Sequence, residues 1–204
     1  MTPRPYRMSR RQQAVDRRRA YMLAAARRVL RAPGSADFSL NAVARRAGVT
    51  RLTVYHQFGS RRGLLEALFD DLAARGGLYE LPSAFREPDP ETALERYIGL
   101  FGGFWTSARL VLRRLNALAV LDPELGRAIA RRQEWRRQGL HVIAGRLAAR
   151  DGRPAPKGHD PVIDILFTLT SFATFDTLAG AGRTPADVAP LVLRLARATL
   201  GLTA

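Results

Sequence analysis

The chain lacks cysteine altogether, holds one lysine (Lys157) among its 33 basic residues, and carries only three histidines in 204 positions. Without cysteine there is no disulfide scaffold, thiol nucleophile or thiolate zinc site. His56, His141 and His159 stand apart, so no His-x-x-x-His metal pair forms, and neither a Gly-x-Gly-x-x-Gly nor a Gly-Lys-Ser/Thr phosphate loop occurs. No metal, cofactor or catalytic centre is implied. Acidic residues are sparse, and Asp70-Asp71 and the acids at 87–91 read as solvated. No run of about 20 residues is free of charge, which argues against a membrane span. The arginine-rich beginning has no apolar stretch of the signal-peptide kind. The expectation is a soluble, cytoplasmic chain with no membrane partner.

What the chain has in excess is positive charge, +15 in all, and it is unevenly placed. Residues 1–63 hold 15 arginines against Asp16 and Asp37, while the remainder holds 18 basic against 16 acidic residues. Almost the whole excess therefore lies in the first third, where it creates a field suited to a polyanion. A basic, solvated tail is the plainer reading of the same asymmetry.

Nearly everything else reads as helix. Ala, Leu and Arg recur at three- to four-residue spacing, and no segment shows sustained period-two alternation. Residues 1–13, with Pro3 and Pro5 among arginines, are expected to be a disordered basic arm, either free or laid in a minor groove. A first helix is predicted over 16–31, with Met22, Leu23, Ala26, Val29 and Leu30 on its apolar face, ended by Pro33-Gly34. Ser39 then caps a helix to Ala47, with Phe38 and Val43 as a hydrophobic staple. Gly48 suits the left-handed position that closes a helix. Thr50 caps the next helix, with Val49 and Val54 as its staple, and Ser60 caps a longer one to about residue 75. Three residues between two short helices force a steep crossing, as in a helix-turn-helix.

On the second of these helices Val54 and Phe58 point inward, leaving Arg51, Thr53, Tyr55, His56 and Gln57 outward. Such a rod fits a DNA major groove, its positive N-terminal end toward the duplex. The block Val43-Ala44-x-x-Ala47-Gly48-Val49-Thr50, continued by Thr53-Val54-Tyr55-His56-x-Phe58-x-Ser60-Arg61 and Leu64-Leu65-x-Ala67, resembles the DNA-binding domain of the TetR family of transcriptional regulators over about residues 17–69. The resemblance implies that Thr53 touches bases and that Tyr55 and His56 meet phosphates. It implies that Ser39, Ser60 and Arg61 anchor the DNA backbone. Arg51 and Gln57 offer base-edge hydrogen bonds, and Thr50 heads the reading helix. Leu52, Ser35 and Arg62 depart from the family pattern. Leu52 either packs or reaches a thymine methyl.

Beyond a Gly/Pro-rich break at 76–90, helices are predicted over 90–107, 109–121, 123–151, 160–180 and 185–202. The expected fold is all-α: a helix-turn-helix domain over 14–63 and a ligand-binding and dimerisation domain over 64–204, bridged by the helix at 60–75. Phe101, Phe104, Trp105, Leu112, Trp135, Phe167 and Phe172 are candidates to line an apolar ligand pocket, although aromatics at helical spacing are more often plain core. Asn116, His141, Asp164, Thr168 and Asp176 could orient a ligand or satisfy one another. Gly102-Gly103 inside a helix marks a kink or a close crossing. The helix at 160–180 is apolar nearly all round, so it needs cover on two sides. Phe175, Leu178, Leu191 and Leu195 are the candidate homodimer contacts. The resemblance implies a dimeric repressor on a pseudo-palindromic DNA operator, released by a largely apolar small molecule. An architectural protein that binds any duplex is the alternative.

Overall fold

The computed structural model describes residues 5–32 and 38–202. It contains ten α-helices and two short 3-10 turns, and no strand among the described residues. The chain divides into two compact units, Met1–Asp71 with Arg113–Leu125, and Leu72–Leu112 with Gly126–Ala204. The first unit thus takes in most of the helix expected to act as a bridge, together with residues 113–125, whose place there no local pattern signals.

In the first unit, α1 (Pro5–Arg31) starts eleven residues before its expected beginning. Residues 5–13 are helical, not an arm: Arg, Gln and Met are good helix formers and Pro5 stands where a missing N–H costs nothing. Residues 1–4, Pro33-Gly34 and Ser35 lie outside the described residues. The next two helices follow their start signals. Ser39 Oγ accepts from the Ala42 N–H at 3.2 Å and opens α2 (Leu40–Ala47). Gly48 closes it at φ +61°, where a side chain would be strained. Thr50 Oγ1 accepts from the Thr53 N–H at 3.1 Å and opens α3 (Arg51–Phe58), and α4 (Arg61–Arg75) follows. Phe38, Val43, Val54, Phe58, Leu64, Leu65 and Leu68 are buried with Met22, Ala26 and Leu30 of α1. Arg27 of α1 pairs with Asp71 of α4, so Asp71 is not the solvated acid expected.

Gly63 marks the tightest corner here. A Cβ at this position would lie 2.0 Å from the Phe58 carbonyl oxygen, a backbone atom that cannot swing away. Gly63→Ala is therefore expected to destabilise the protein by about 1–3 kcal/mol, the usual cost of overpacking, despite alanine's better helix propensity. A thermal melt no lower than the parent's would contradict this.

The second unit begins with a 3-10 turn and α5 (Leu81–Arg86) inside the stretch expected to be irregular. Next, α6 (Pro90–Ala119) is one unbroken helix where two were expected. Ala108, at the supposed break, is buried and is a good helix former. Gly102 answers its own question. A Cβ there would meet Phe175, Ala186 and Ala189 at 3.3–3.4 Å, so it marks a close crossing rather than a kink, whereas Gly103 faces open space. After α7 (Pro123–Arg150), the expected helix at 160–180 is broken into α8 (Pro161–Leu169) and α9 (Phe172–Ala179), bent by 48°. Ser171 causes the break by capping α9, its Oγ accepting from the Thr174 N–H. Among the described residues no single helix is long and apolar enough to cross a membrane; the bent α8–α9 pair qualifies by length and composition only. A 3-10 turn and α10 (Ala189–Leu200) complete the unit, α10 packing against α8.

Candidate nucleic-acid interface

Two side chains hold α3 in place: Val54, fully buried, and Phe58, under whose ring the α1 arginine Arg19 is stacked at 5.0 Å. Because eight residues make barely two turns, securing one face commits the other to solvent. Arg51, Tyr55 and His56 are exposed, and Thr53 and Gln57 are half-buried along the edge of the same face. The outward set named from the sequence is therefore brought together on one short helix. Tyr55, 50 % exposed, is not a core residue; its ring meets His56 edge-on at 6.4 Å. Leu52 is 61 % exposed, so it is presented rather than packed.

Beside this face, Ser39, Asn41, Ala44, Arg45, Val49 and Arg51 line an open groove between the start of α2 and the start of α3. Asn41 and Arg45, which sequence reasoning passed over, are exposed there next to Ser39. Their signal was available: positions 41 and 45 lie one helical turn apart, on the face opposite the buried Val43 and Ala44. Ser39 and Thr50 accept backbone N–H bonds as caps, and the Thr50 hydroxyl also shares a hydrogen bond with the Thr53 hydroxyl at 2.9 Å. Ser60 likewise accepts from the Gly63 N–H at 3.0 Å.

Arg61 departs from expectation. Its Nε donates to the Phe38 carbonyl at 2.8 Å, Nη1 to Glu124 at 3.1 Å, and Nη2 to Asp122. All three fork positions are engaged within the first unit, so Arg61 is an internal clamp and not a free phosphate anchor. Burial disfavours its charge, but the bonds to Asp122 and Glu124 outweigh that and raise its pKa. Neither acid lies within 60 residues of Arg61 in sequence, which is why spacing gave no sign of the clamp.

In the second unit, four of the pocket candidates do meet. Phe101, Phe104 and Trp105 of α6 and Phe172 of α9 are buried, with Trp105 centred 5.4, 4.7 and 5.7 Å from the other three rings. Leu112 is buried too. Trp135 is not part of any lining: it is 63 % exposed beneath Arg132. Amphipathic spacing could not foretell this, because the indole lies on the solvent side of α7. Phe167 is half-buried under two arginines. Asp164 and Asp176, offered as ligand-orienting groups, are paired with Arg137 and Arg109. Phe175 is fully buried within its own unit against Gly102 and cannot be a dimer contact, whereas Leu178 and Leu191 are half-buried and Leu195 is 42 % exposed.

The family description "Bacterial regulatory proteins, tetR family" matches residues 22–68, the segment from mid-α1 into α4. Over 191 residues the chain is 27 % identical to the HTH-type transcriptional regulator EthR of Mycolicibacterium smegmatis (strain ATCC 700084 / mc(2)155), spanning 93 % of this chain and 85 % of that one. A crystal structure of a transcriptional regulator from Rhodococcus sp. Rha1 superposes with a TM-score of 0.59 at 19 % identity, over 90 % of this chain and 94 % of the other. A putative TetR-family regulator from Mesorhizobium loti MAFF303099 does so at 0.52 and 18 %, over 92 % and 95 %. At such identities these two structures speak for the fold, and the helix-turn-helix residues speak for the class. Together they show that residues 22–68 match the DNA-binding domain of the TetR family, and that the chain is similar over most of its length to transcriptional regulators built on that domain.

Proposed function

We propose that the chain is a cytoplasmic, homodimeric repressor that binds a pseudo-palindromic operator and releases it when a small, largely apolar molecule occupies the second unit. The observation that carries this reading is α3, a capped two-turn helix whose Val54 and Phe58 are buried while Arg51, Tyr55 and His56 face water. In the proposed complex Arg51 and Gln57 read base edges, Thr53 and Leu52 approach bases, and Tyr55, His56, Ser39, Thr50 and Ser60 hold phosphates. Two copies related by a two-fold axis set their reading helices about 34–36 Å apart, matching successive major grooves. Exposed Ile165 of α8 and Leu195 of α10, continuous with Leu191, supply the apolar surface such a dimer needs. Ligand then acts by favouring a dimer geometry that no longer matches the groove spacing.

The test is to select bound fragments from the source genome, then titrate the best fragment in excess non-specific duplex. Tight binding to one short palindrome is expected. Equal affinity for any duplex would identify an architectural protein instead. Leu195→Arg should yield monomers by light scattering and weaken operator binding; a variant that stays dimeric places the interface elsewhere.

A further inference from the structure

Arg136 stands apart among the cations of the second unit. Arg109, Arg137 and Arg150 each meet a carboxylate at 2.5–2.8 Å, but Arg136 is 3 % exposed and no acidic side chain among the described residues pairs with it. Its Nη1 donates to the Phe167 carbonyl at 2.7 Å and to the Thr170 hydroxyl, and its Nε donates to Gln133 Oε1 at 2.9 Å. Nη2 makes no hydrogen bond to the described residues. The Phe167 ring lies 3.9 Å from the guanidinium carbon, and Arg137 approaches the same ring at 4.2 Å, adding a second positive charge. Burial, with Arg137 adding to it, brings the Arg136 pKa down to about 10 although Tyr97 opposes the shift. An enclosed cation without a counter-charge is costly and stands to gain from any anion that reaches it.

The surroundings define what that anion is attached to. Thr170, fully buried, receives Nη1 on its hydroxyl, while its carbonyl accepts the Trp105 indole N–H at 3.2 Å. Trp105 in turn packs against Phe101, Phe104 and Phe172. One polar, positively charged end thus adjoins an aromatic wall.

We infer that Arg136 is the anchor of the effector site and that the effector is a monocarboxylate with an aromatic or aliphatic body. The carboxylate accepts from the Nε–Nη2 edge, replacing the Gln133 amide oxygen, while Nη1 keeps its bonds to α8. The body packs against the ring cluster. This rests on the ligand-responsive reading above, but its test needs no DNA.

In full-length Trp135→Phe protein Trp105 is the only tryptophan, and 4-phenylbutyrate and decanoate are compared with their methyl esters at neutral pH. The acids should perturb Trp105 emission and bind at least about tenfold more tightly than the esters. Gln133→Glu supplies an internal counter-charge. It should raise the melting temperature without ligand and erase the acid preference, whereas Arg136→Met should erase it while lowering the melting temperature. Should Arg136→Met fail to fold, Gln133→Glu alone decides. Esters binding as well as acids, an acid preference surviving Gln133→Glu, or no acid binding up to about 1 mM would each overturn the inference. A protein that shows the acid preference yet releases no operator would instead contradict the ligand-responsive reading.

Discussion

Changing Arg51 and Gln57 together to alanine is expected to weaken operator binding at least about a thousandfold while leaving the melting temperature within a degree or two. Each base-edge contact carries roughly 1–3 kcal/mol of discrimination. Two residues on each of two protomers make four contacts, so even the low end amounts to about 4 kcal/mol. Stability is spared because Arg51 is exposed and Gln57 only half-buried, and neither belongs to the Val54–Phe58 face that holds the helix. Affinity for random duplex should fall much less, since it depends on phosphate contacts. A fluorescence-anisotropy titration against the selected palindrome and a scrambled duplex reads both quantities. An equal loss on the two duplexes would mean that these side chains only attract the backbone.

Arg61→Met should act the opposite way, through the fold. It takes donors from the Phe38 carbonyl, Asp122 and Glu124 at once. Charge-assisted bonds to partly buried groups are worth about 1.5–3 kcal/mol, so a loss of roughly 2–3 kcal/mol is expected, seen as a lower denaturation midpoint. The pH dependence gives a second check. Burial raises the Asp122 pKa, but the Arg61 bond and the N–H groups of Leu125 and Glu124 overcome this and hold it below the ordinary value of 3.8. A depressed carboxyl contributes stability above its unfolded pKa and loses it as the pH falls through the folded one. Wild type should therefore lose stability below about pH 4, and in Arg61→Met that part of the acid sensitivity should shrink. Operator binding by the folded fraction should change little; a large loss there would return Arg61 to the DNA backbone.

The features legible in the sequence are those decided within a turn or two of chain. Ser39, Gly48 and Thr50 carry cap chemistry on their own residue types, and Val43, Val54 and Phe58 carry the inward face, so α2, α3 and the polar outer face could be read directly. What escaped was decided by tertiary partners. The partners of Arg61 are invisible to spacing because Asp122 comes from the turn between α6 and α7 and Glu124 from the first turn of α7. The α6 helix runs through Ala108 because burial there favours continuity. Conversely, α8 and α9 part at Ser171 because a serine cap competes with the helical ladder, a choice that apolar periodicity does not register. Periodicity is a poor guide at Trp135, an aromatic residue that lies largely in solvent with Arg132 over its ring. The lone guanidinium of Arg136 showed no signal, since the sequence does not reveal which charges go unanswered.

In α3 the positions that anchor the helix and the positions that face outward scarcely overlap. Mutations at 51, 52, 55 and 56 are thus nearly free of thermodynamic penalty, and a lineage could drift from one DNA target to another by single steps without ever passing through an unstable intermediate. The same separation makes this helix a ready scaffold for selecting altered specificities from a library restricted to those four sites.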